Sequence, residues 1–581
     1  MEQQRLLLFV ALLFIGFLIW EAWQKDYGPQ PQPSPTTQTE QPTSDQTTGA
    51  PAPEQSGSAT DQIPVPGGGE APSGGTPSTK APGIALDSAQ RIVVDTDVIH
   101  AEIDTLGGDL RKVQLPKYPV DVDDPDKPFT LLDDSSKLIY VAQSGLFTRE
   151  KDNAKFATGA PDHHTRYQAD QNHYQLGNQD KLDVSLHWVS PQGVKFTKTY
   201  HFERGKYLVD LTHHIENQSG KPWRGNIYYR IQHSAPQAKG GIAHLPVYTG
   251  PVVYSPEDKY RKISFDDIDD VEGTPKDAID KEFAGGWGGM IQHYFVSAWI
   301  PPKDQTFRYF TSKVQGSRYL IGLSSPQINV PPNSDKTLTA RLFTGPKLPD
   351  RLEAIAPGLD LAVDYGWLTI LSKPLYWILK QIHGFVGNWG WAIILLTIMI
   401  KAVFYKLSET SYKSMAKLRK VTPKMQQIKE RYADDKEKQR QALFELQRKE
   451  KINPLGGCLP IAVQIPVFIA LYYMILESVE LRQAPWIFWI QDLSTKDPYF
   501  ILPIIMGLSM LAQQKLNPTP VDPVQAKVMM VLPVVFTGLF MFFPSGLVLY
   551  WVVNNILSIS QQYYITRYVV GTDKHPVKKK A

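Results

Sequence analysis

The sequence predicts a multi-domain membrane protein, a polytopic α-helical bundle of six spans joined to a large all-β domain. Three observations carry this. Residues up to about 350 read as soluble, with short stretches alternating apolar and polar. Residues from about 365 to 570 are dominated by long apolar runs. A basic segment and an acidic loop alternate between those runs, and such alternation fixes membrane orientation.

The first element is the apolar run Leu6–Trp20, extended by Ala22 and Trp23. No small-residue cleavage pattern follows it, so residues 1–27 are expected to form an uncleaved anchor. Residues 28–83 are Pro, Gln, Ser, Thr, Gly and Ala with one basic residue, Lys80. They have too little apolar surface to offset the entropy of ordering, and a disordered tether is expected.

From residue 84 to about 350 the pattern is strands. Lys181–Trp188, Val194–Phe202, Tyr207–Thr212 and Arg318–Leu323 alternate in character. Pro191-Gln-Gly193, Arg204-Gly205 and Asn217-Gln-Ser-Gly220 supply turns, and the whole predicts a β-sandwich. The pairs His163-His164 and His213-His214 suggest a metal site at first sight. Adjacent residues on a strand point to opposite faces, so structural or surface roles are expected. Gly285-Gly-Trp-Gly-Gly289 is expected to be a flexible loop anchored by Trp287.

The helical half opens at residues 361–387, where Trp367, Leu371, Leu375, Ile378, Ile382 and Val386 recur at helical spacing. Lys373, Pro374, Lys380 and His383 interrupt them, and the segment reads as an amphipathic interfacial helix. Residues 388–570 then provide five core spans. The first, about Asn388 to Lys406, carries Lys401. A cytoplasmic helical hairpin over 407–453 follows, with Thr422-Pro423 as a helix start, Asp434-Asp435 as a cap, and Asn453-Pro-Leu-Gly-Gly457 as a stop. The remaining apolar runs are Cys458–Leu476, Tyr499–Gln514, Met529–Phe543 and Gly546–Ile565.

Charge orients this bundle. Residues 406–451 hold fourteen Lys/Arg against seven Asp/Glu, whereas the loop 477–497 holds two against four. The positive-inside rule places the hairpin and the basic tail 571–581 in the cytoplasm, with the N-terminus. The β-domain then lies outside, as in a bacterial inner membrane facing a periplasm.

A single cysteine, Cys458, excludes an internal disulfide and argues against a thiolate metal cluster. No phosphate loop, zinc-protease motif or dinucleotide fingerprint occurs, so neither enzyme chemistry nor a cofactor or metal is expected. The chemistry-bearing residue is Lys401. A charge at mid-span costs roughly 2.5–3.5 kcal/mol on insertion scales, so it usually faces water or protein. Near the cytoplasmic end it can also snorkel to the headgroups. The last span adds Asn554, Asn555, Ser558, Gln561 and Gln562, of which 554, 558, 561 and 562 are assigned to one face; Gln464 lies in the span after the hairpin. These polar stripes fit either interhelical hydrogen bonding or a hydrated pocket open to the cytoplasm, and the pocket also accounts for the lysine. Such a pocket would draw acidic polypeptide. A solute transporter or channel with a periplasmic ligand-binding domain is the main alternative, although neither inverted repeats nor broken helices are evident. A membrane-anchored carbohydrate enzyme or sensor is a weaker one.

Asn388-Trp-Gly, Asn453-Pro-Leu-Gly-Gly-Cys-Leu-Pro460, Ala470-Leu-Tyr-Tyr473, Val479-Glu-Leu-Arg-Gln-Ala-Pro485, Pro544-Ser-Gly-Leu-Val-Leu-Tyr550 and Gln561-Gln562 closely resemble the YidC family of membrane protein insertases of Gram-negative bacteria. The resemblance is dense from about Asp360 to Arg567. It implies a periplasmic β-supersandwich and a hydrophilic groove open to the cytoplasm and the lipid. It assigns Lys401, Thr397, Gln464, Asn554, Asn555, Ser558, Tyr550 and Trp551 to the groove, and Ile465, Phe468 and Phe536 to an apolar slide for the client helix. Two residues depart from the family pattern. Lys401 stands where the bacterial members have arginine, which keeps the charge and loses the bidentate fork. Trp551 stands where a second tyrosine is frequent. The implied partners are nascent membrane proteins, the Sec translocon and its accessory subunits, and membrane lipids. The ribosome and the signal-recognition targeting machinery would meet the hairpin and basic tail, although the tail's charge also serves simply to fix topology.

Overall fold

Val194–Glu203 shows the strand logic most clearly: its residues alternate buried and part-exposed along the whole strand. It pairs antiparallel with Lys181–Val189 on one side and Leu208–Asn217 on the other. Gly193 and Gly205 close the adjoining turns at φ 86° and 70°, a region that glycine enters without steric cost. In the computed structural model the described residues are 86–135, 139–150, 153–157, 159–235, 247–269, 279–314, 317–450, 459–517 and 523–570. The expected anchor, the linker, the hairpin stop with Cys458, and the basic tail lie outside them.

Among the described residues the strands form two sheets, of twelve and nine strands. Tyr140–Glu150 and Trp223–Ser234 pair in the middle of the first. Leu208–Asn217 and Ser334–Pro346 pair in the middle of the second. Hydrogen bonds cross between them: Tyr140 Oη to Met290 O at 2.9 Å, Tyr200 Oη to Gly108 O at 2.7 Å, and Trp299 Nε1 to Arg230 O at 3.1 Å. Lys198 shares the buried row of Phe196, Tyr200 and Phe202. Its ammonium donates to Gly107 O and Ser144 O at 3.0 and 3.1 Å and lies 3.9 Å from Asp109. Burial pulls the Lys198 pKa down to about 8, and the Asp109 carboxylate opposes that shift.

His213 is buried and His214 part-exposed, as opposite strand faces require. His163-His164 is different, because the pair occupies a turn and not a strand. His163 is nevertheless buried and bonded through Nδ1 to Tyr228 Oη at 2.7 Å, while His164 is exposed. No cluster suited to a metal ion occurs among the described residues. Burial holds His163 and His213 well below the ordinary histidine value and takes His233 to about 4. Protons therefore bind the unfolded chain better. The stability that these neutral rings allow is complete above about pH 6.5 and falls as pH drops from there toward 4. For His233 the change is roughly 3 kcal/mol. Denaturant unfolding of the full chain in detergent should show this slope, and His233→Gln should flatten it; equal slopes would refute the assignment.

Gly285–Gly289 is not the expected loop. Gly285 and Gly286 make a turn at φ 71° and 81°, and Trp287–Gln292 is a strand with Trp287 fully buried. Gly289 belongs in that strand because a Cβ there would lie 2.6 Å from Ser297 O. The tryptophan indole donates to Pro357 O at 3.2 Å.

The helical half follows the short helix Pro349–Ile355 and two 3-10 turns, Leu359–Ala362 and Gly366–Leu368. Helix α1 is Thr369–Val386. Pro374 does not interrupt it, because a proline this near the start removes a single hydrogen bond, to Ile370 O. Its faces do not divide by polarity: Ser372, Tyr376 and Leu379 are buried, while Ile370, Trp377 and Phe385 are exposed along with the side chains of Lys373 and Lys380. The exposed apolar residues suit apolar surroundings better than water. Helix α2 is Trp389–Val403, capped by Asn388 Oδ1, which accepts from Trp391 N at 3.1 Å. The span expected to continue to Lys406 breaks at Phe404, and helix α3, Tyr405–Arg431, leaves at 66°. Helix α3 runs through Pro423, so Thr422-Pro423 is not a helix start. The Thr422 hydroxyl instead donates to Leu418 O at 2.9 Å. Helix α4, Lys436–Lys449, begins where expected, with Asp435 accepting from Lys438 N at 3.0 Å.

Helices α5 (Leu459–Glu477), α6 (Ile501–Leu516), α7 (Pro523–Phe540) and α8 (Ser545–Tyr564) complete the bundle. Among the described residues no single helix is long and apolar enough to cross a membrane; α2 and α3 reach that length and apolarity only as a bent pair. Helix α8 packs against α2 and α6, α7 against α6, and α1 against α2 and α5. At the α6–α7 crossing, a Cβ on Gly507 would meet Thr537 Oγ1, so the helices approach as closely as glycine permits.

Candidate functional site

Helices α2, α5 and α8 bring three polar groups together. Lys401, in the last turn of α2, donates from Nζ to Ser558 Oγ at 2.7 Å. The Ser558 hydroxyl in turn donates to Asn554 O at 2.7 Å, one turn earlier in α8. Gln464 Nε2, from α5, donates to Asn554 Oδ1. Among the described residues Lys401 makes no ion pair, so two of its three N–H groups remain for water or for a carboxylate from elsewhere. Beside them lies a small cleft, lined by Lys401 and Gln464 together with Phe404 at the α2–α3 break and Leu407 and Ser408 of α3.

The expected polar stripe of α8 divides between two faces. Asn554, Ser558 and Gln561 turn toward α2, α5 and the start of α3, and Gln561 Nε2 donates to Tyr405 O at 3.3 Å. Asn555 and Gln562 turn toward α6, donating to Ser509 Oγ and Asn517 Oδ1, both at 2.9 Å. Placing Gln562 with Asn554 was an error of angle: eight residues at 100° each leave it about 80° away. Interhelical hydrogen bonding is thus realised on both faces, and the cleft adjoins the first of them. Thr397 is buried and its hydroxyl donates to Ile393 O at 2.7 Å within its own helix. The Tyr550 hydroxyl is buried without a hydrogen-bond partner among the described residues.

The apolar residues form a second layer. Phe468 meets Trp551 edge-on at 4.6 Å between ring centres, and Trp551 lies 5.1 Å from Phe540 and 6.4 Å from Phe536. Ile465 is half-exposed on α5. Met530, Val531, Val534 and Val535, on the same helix α7 as Phe536 and Phe540, are exposed.

Two family models match the chain: the YidC periplasmic domain over residues 91–378 and the 60Kd inner membrane protein over residues 381–573. A membrane protein insertase YidC of Thioalkalivibrio sulfidiphilus is 50% identical over 580 residues, covering 99% of this chain and all of the relative. The chain belongs to the YidC family of membrane protein insertases. The relative from Methylococcus capsulatus is 49% identical over 98% of this chain and 99% of its own length. That from Nitrosococcus oceani is 47% identical over the same shares. This insertase therefore has a large periplasmic β-sheet domain and a helical membrane domain, works in the inner membrane on membrane-protein substrates, and is not an enzyme. The transporter and carbohydrate-enzyme alternatives fall away.

Phe404 and Ser408 are unexpected at the site, since the sequence suggests an apolar span residue for the first and a hairpin residue for the second. Their spacing carried the signal: 401, 404 and 408 recur at helical intervals in the sequence, and all three line the cleft at the 66° break.

Proposed function

We propose that clients enter this insertase through the cleft lined by Lys401 and Gln464, whose side chains Ser558 and Asn554 hold, and leave along Ile465, Phe468 and Phe536. The observation that carries this is the Lys401 ammonium, part-buried beside the small cleft with a hydroxyl and no carboxylate as its partner among the described residues. A short acidic external tail of a client supplies the missing counter-charge. The client's apolar helix then moves past Phe468 and Phe536 into lipid, driven by burial worth about 25 cal/mol per Å². No nucleotide takes part. In this reading the chain spans the membrane six times, with the anchor 1–27 and the five core spans of 388–570. The interfacial helix 361–387 lies on the periplasmic side, and hairpin and tail are cytoplasmic. The basic surface of α3 and α4 receives ribosomes and the signal-recognition targeting machinery, and the Sec translocon and its accessory subunits share the larger clients.

Photo-crosslinkers at Gln464 and Phe468, tested on a stalled client with an acidic tail, should capture the client, whereas one at Ser509 on the α6 face should not. Equal capture at all three positions, or none at Gln464, overturns the route.

A further inference from the structure

The β-domain grips the outer end of α5. Glu477, the last residue of that helix, pairs with Lys347 at 2.6 Å, and the two side chains are 6% and 1% exposed. A carboxylate at a helix C-terminus faces the negative end of the dipole, and burial adds a desolvation cost. Neither favours glutamate for the helix's own sake, so its reason is the partner. Lys347 follows directly on the strand Ser334–Pro346, and its backbone N–H donates to Tyr294 O at 2.9 Å.

The neighbouring residue, His293, bonds through Nε2 to Leu476 O at 2.8 Å. That carbonyl is one of the last four in α5, which lack intrahelical partners. A carbonyl can only accept, so Nε2 carries the proton. Burial lowers the His293 pKa, which keeps the ring neutral with Nδ1 bare. Just beyond the helix, Arg482 Nη2 and Gln483 Nε2 donate to Pro119 O at 2.6 and 2.9 Å. Three separate segments of the β-domain thus hold residues 476–483. Gln464 lies thirteen residues along the same helix, about 20 Å away.

We propose that Lys347 and His293 are positioning residues for insertion: they fix the height and rotation of α5, and through it Gln464, Ile465 and Phe468. The inference rests on the route proposed above. It makes the β-domain an anchor for one wall of the groove.

The test uses the full chain in proteoliposomes, with amide exchange along residues 463–477 and client insertion as separate readouts. Lys347→Met and Glu477→Leu should each speed exchange there about tenfold and slow insertion severalfold. The double variant should recover part of both, because it leaves no lone buried charge. His293→Ala should behave like the single variants, and His293→Gln, which keeps an N–H donor, should restore insertion. The double variant and the two His293 variants carry the test if a single variant does not accumulate. Unchanged exchange in the variants overturns the grip. Faster exchange with insertion at the parent rate overturns the positioning role. Failure of the route itself would show in the crosslinks at Gln464 and leave the exchange result standing.

Discussion

Lys401→Ala should slow insertion of clients with acidic external tails by about tenfold or more, while Lys401→Arg keeps most of the rate. The ammonium donates to Ser558 and has no carboxylate partner among the described residues. One ion pair formed with a client carboxylate in a part-hydrated cleft is worth on the order of 1–2 kcal/mol, well short of the low-dielectric limit, and tenfold is about 1.4 kcal/mol. Clients with uncharged tails gain no such pairing, so their rates should change less than about twofold. Removing the side chain leaves no other buried group stranded, because Ser558 still donates to Asn554 O. The contrast between the two client classes, measured in proteoliposomes at fixed salt, is the deciding quantity. An equal loss for both would return Lys401 to the role of a snorkelling residue. The contrast should also shrink as salt is raised, since exposed parts of the pairing are screened within about 10 Å at 0.1 M.

Asp497→Ala should destabilise the membrane domain by about 3 kcal/mol, the largest loss expected from a side chain outside the cleft. Asp497 is fully buried, and both its oxygens are engaged. Oδ1 accepts from Trp489 Nε1 and Tyr499 N, each at 3.0 Å, and Oδ2 accepts from Leu502 N at 2.7 Å in the first turn of α6. Alanine strands three donors at once, one of them, Leu502 N, buried and two part-buried. Asparagine retains one acceptor oxygen and should cost about a third as much. Helix α6 also holds α8 through Ser509 and Asn517, so loosening its start should propagate to the face opposite the cleft. Thermal unfolding in detergent, with amide exchange at Tyr499–Leu502, checks this, and wild-type stability in the alanine variant would contradict it.

The elements most legible in the sequence were those set by a period or a cap. Val194–Glu203 alternates as its residues dictate, and Asp435 caps α4 where its side chain can reach Lys438 N. Pro423 misled because proline is read as a boundary, whereas a helix of 27 residues tolerates the loss of one hydrogen bond. The Gly285–Gly289 segment misled for a related reason. Its glycines answer to strands that pass too close for a Cβ, a tertiary fact with no local signature. At the site, the association of Lys401 with Ser558 and of Gln464 with Asn554 was foreseen as a polar setting shared by three spans. The division of α8 into a cleft face and an α6 face was not, because Asn554 and Asn555 are adjacent in sequence and only packing tells them apart. The break at Phe404 was equally hidden, since no proline or glycine marks it.

The shortness of α2 has a consequence for the bilayer itself. Fifteen residues rise about 22 Å, whereas the hydrocarbon layer of a typical membrane is about 30 Å thick. Lipid that meets so short an apolar surface relieves the mismatch by thinning, at a fraction of a kcal/mol per ångström. A wall of that length would dent the membrane beside Lys401. A polar tail taking the proposed route along that wall would face a narrower hydrocarbon barrier than elsewhere in the same bilayer, and the acyl-chain length of the host lipid should then be a variable of the reaction.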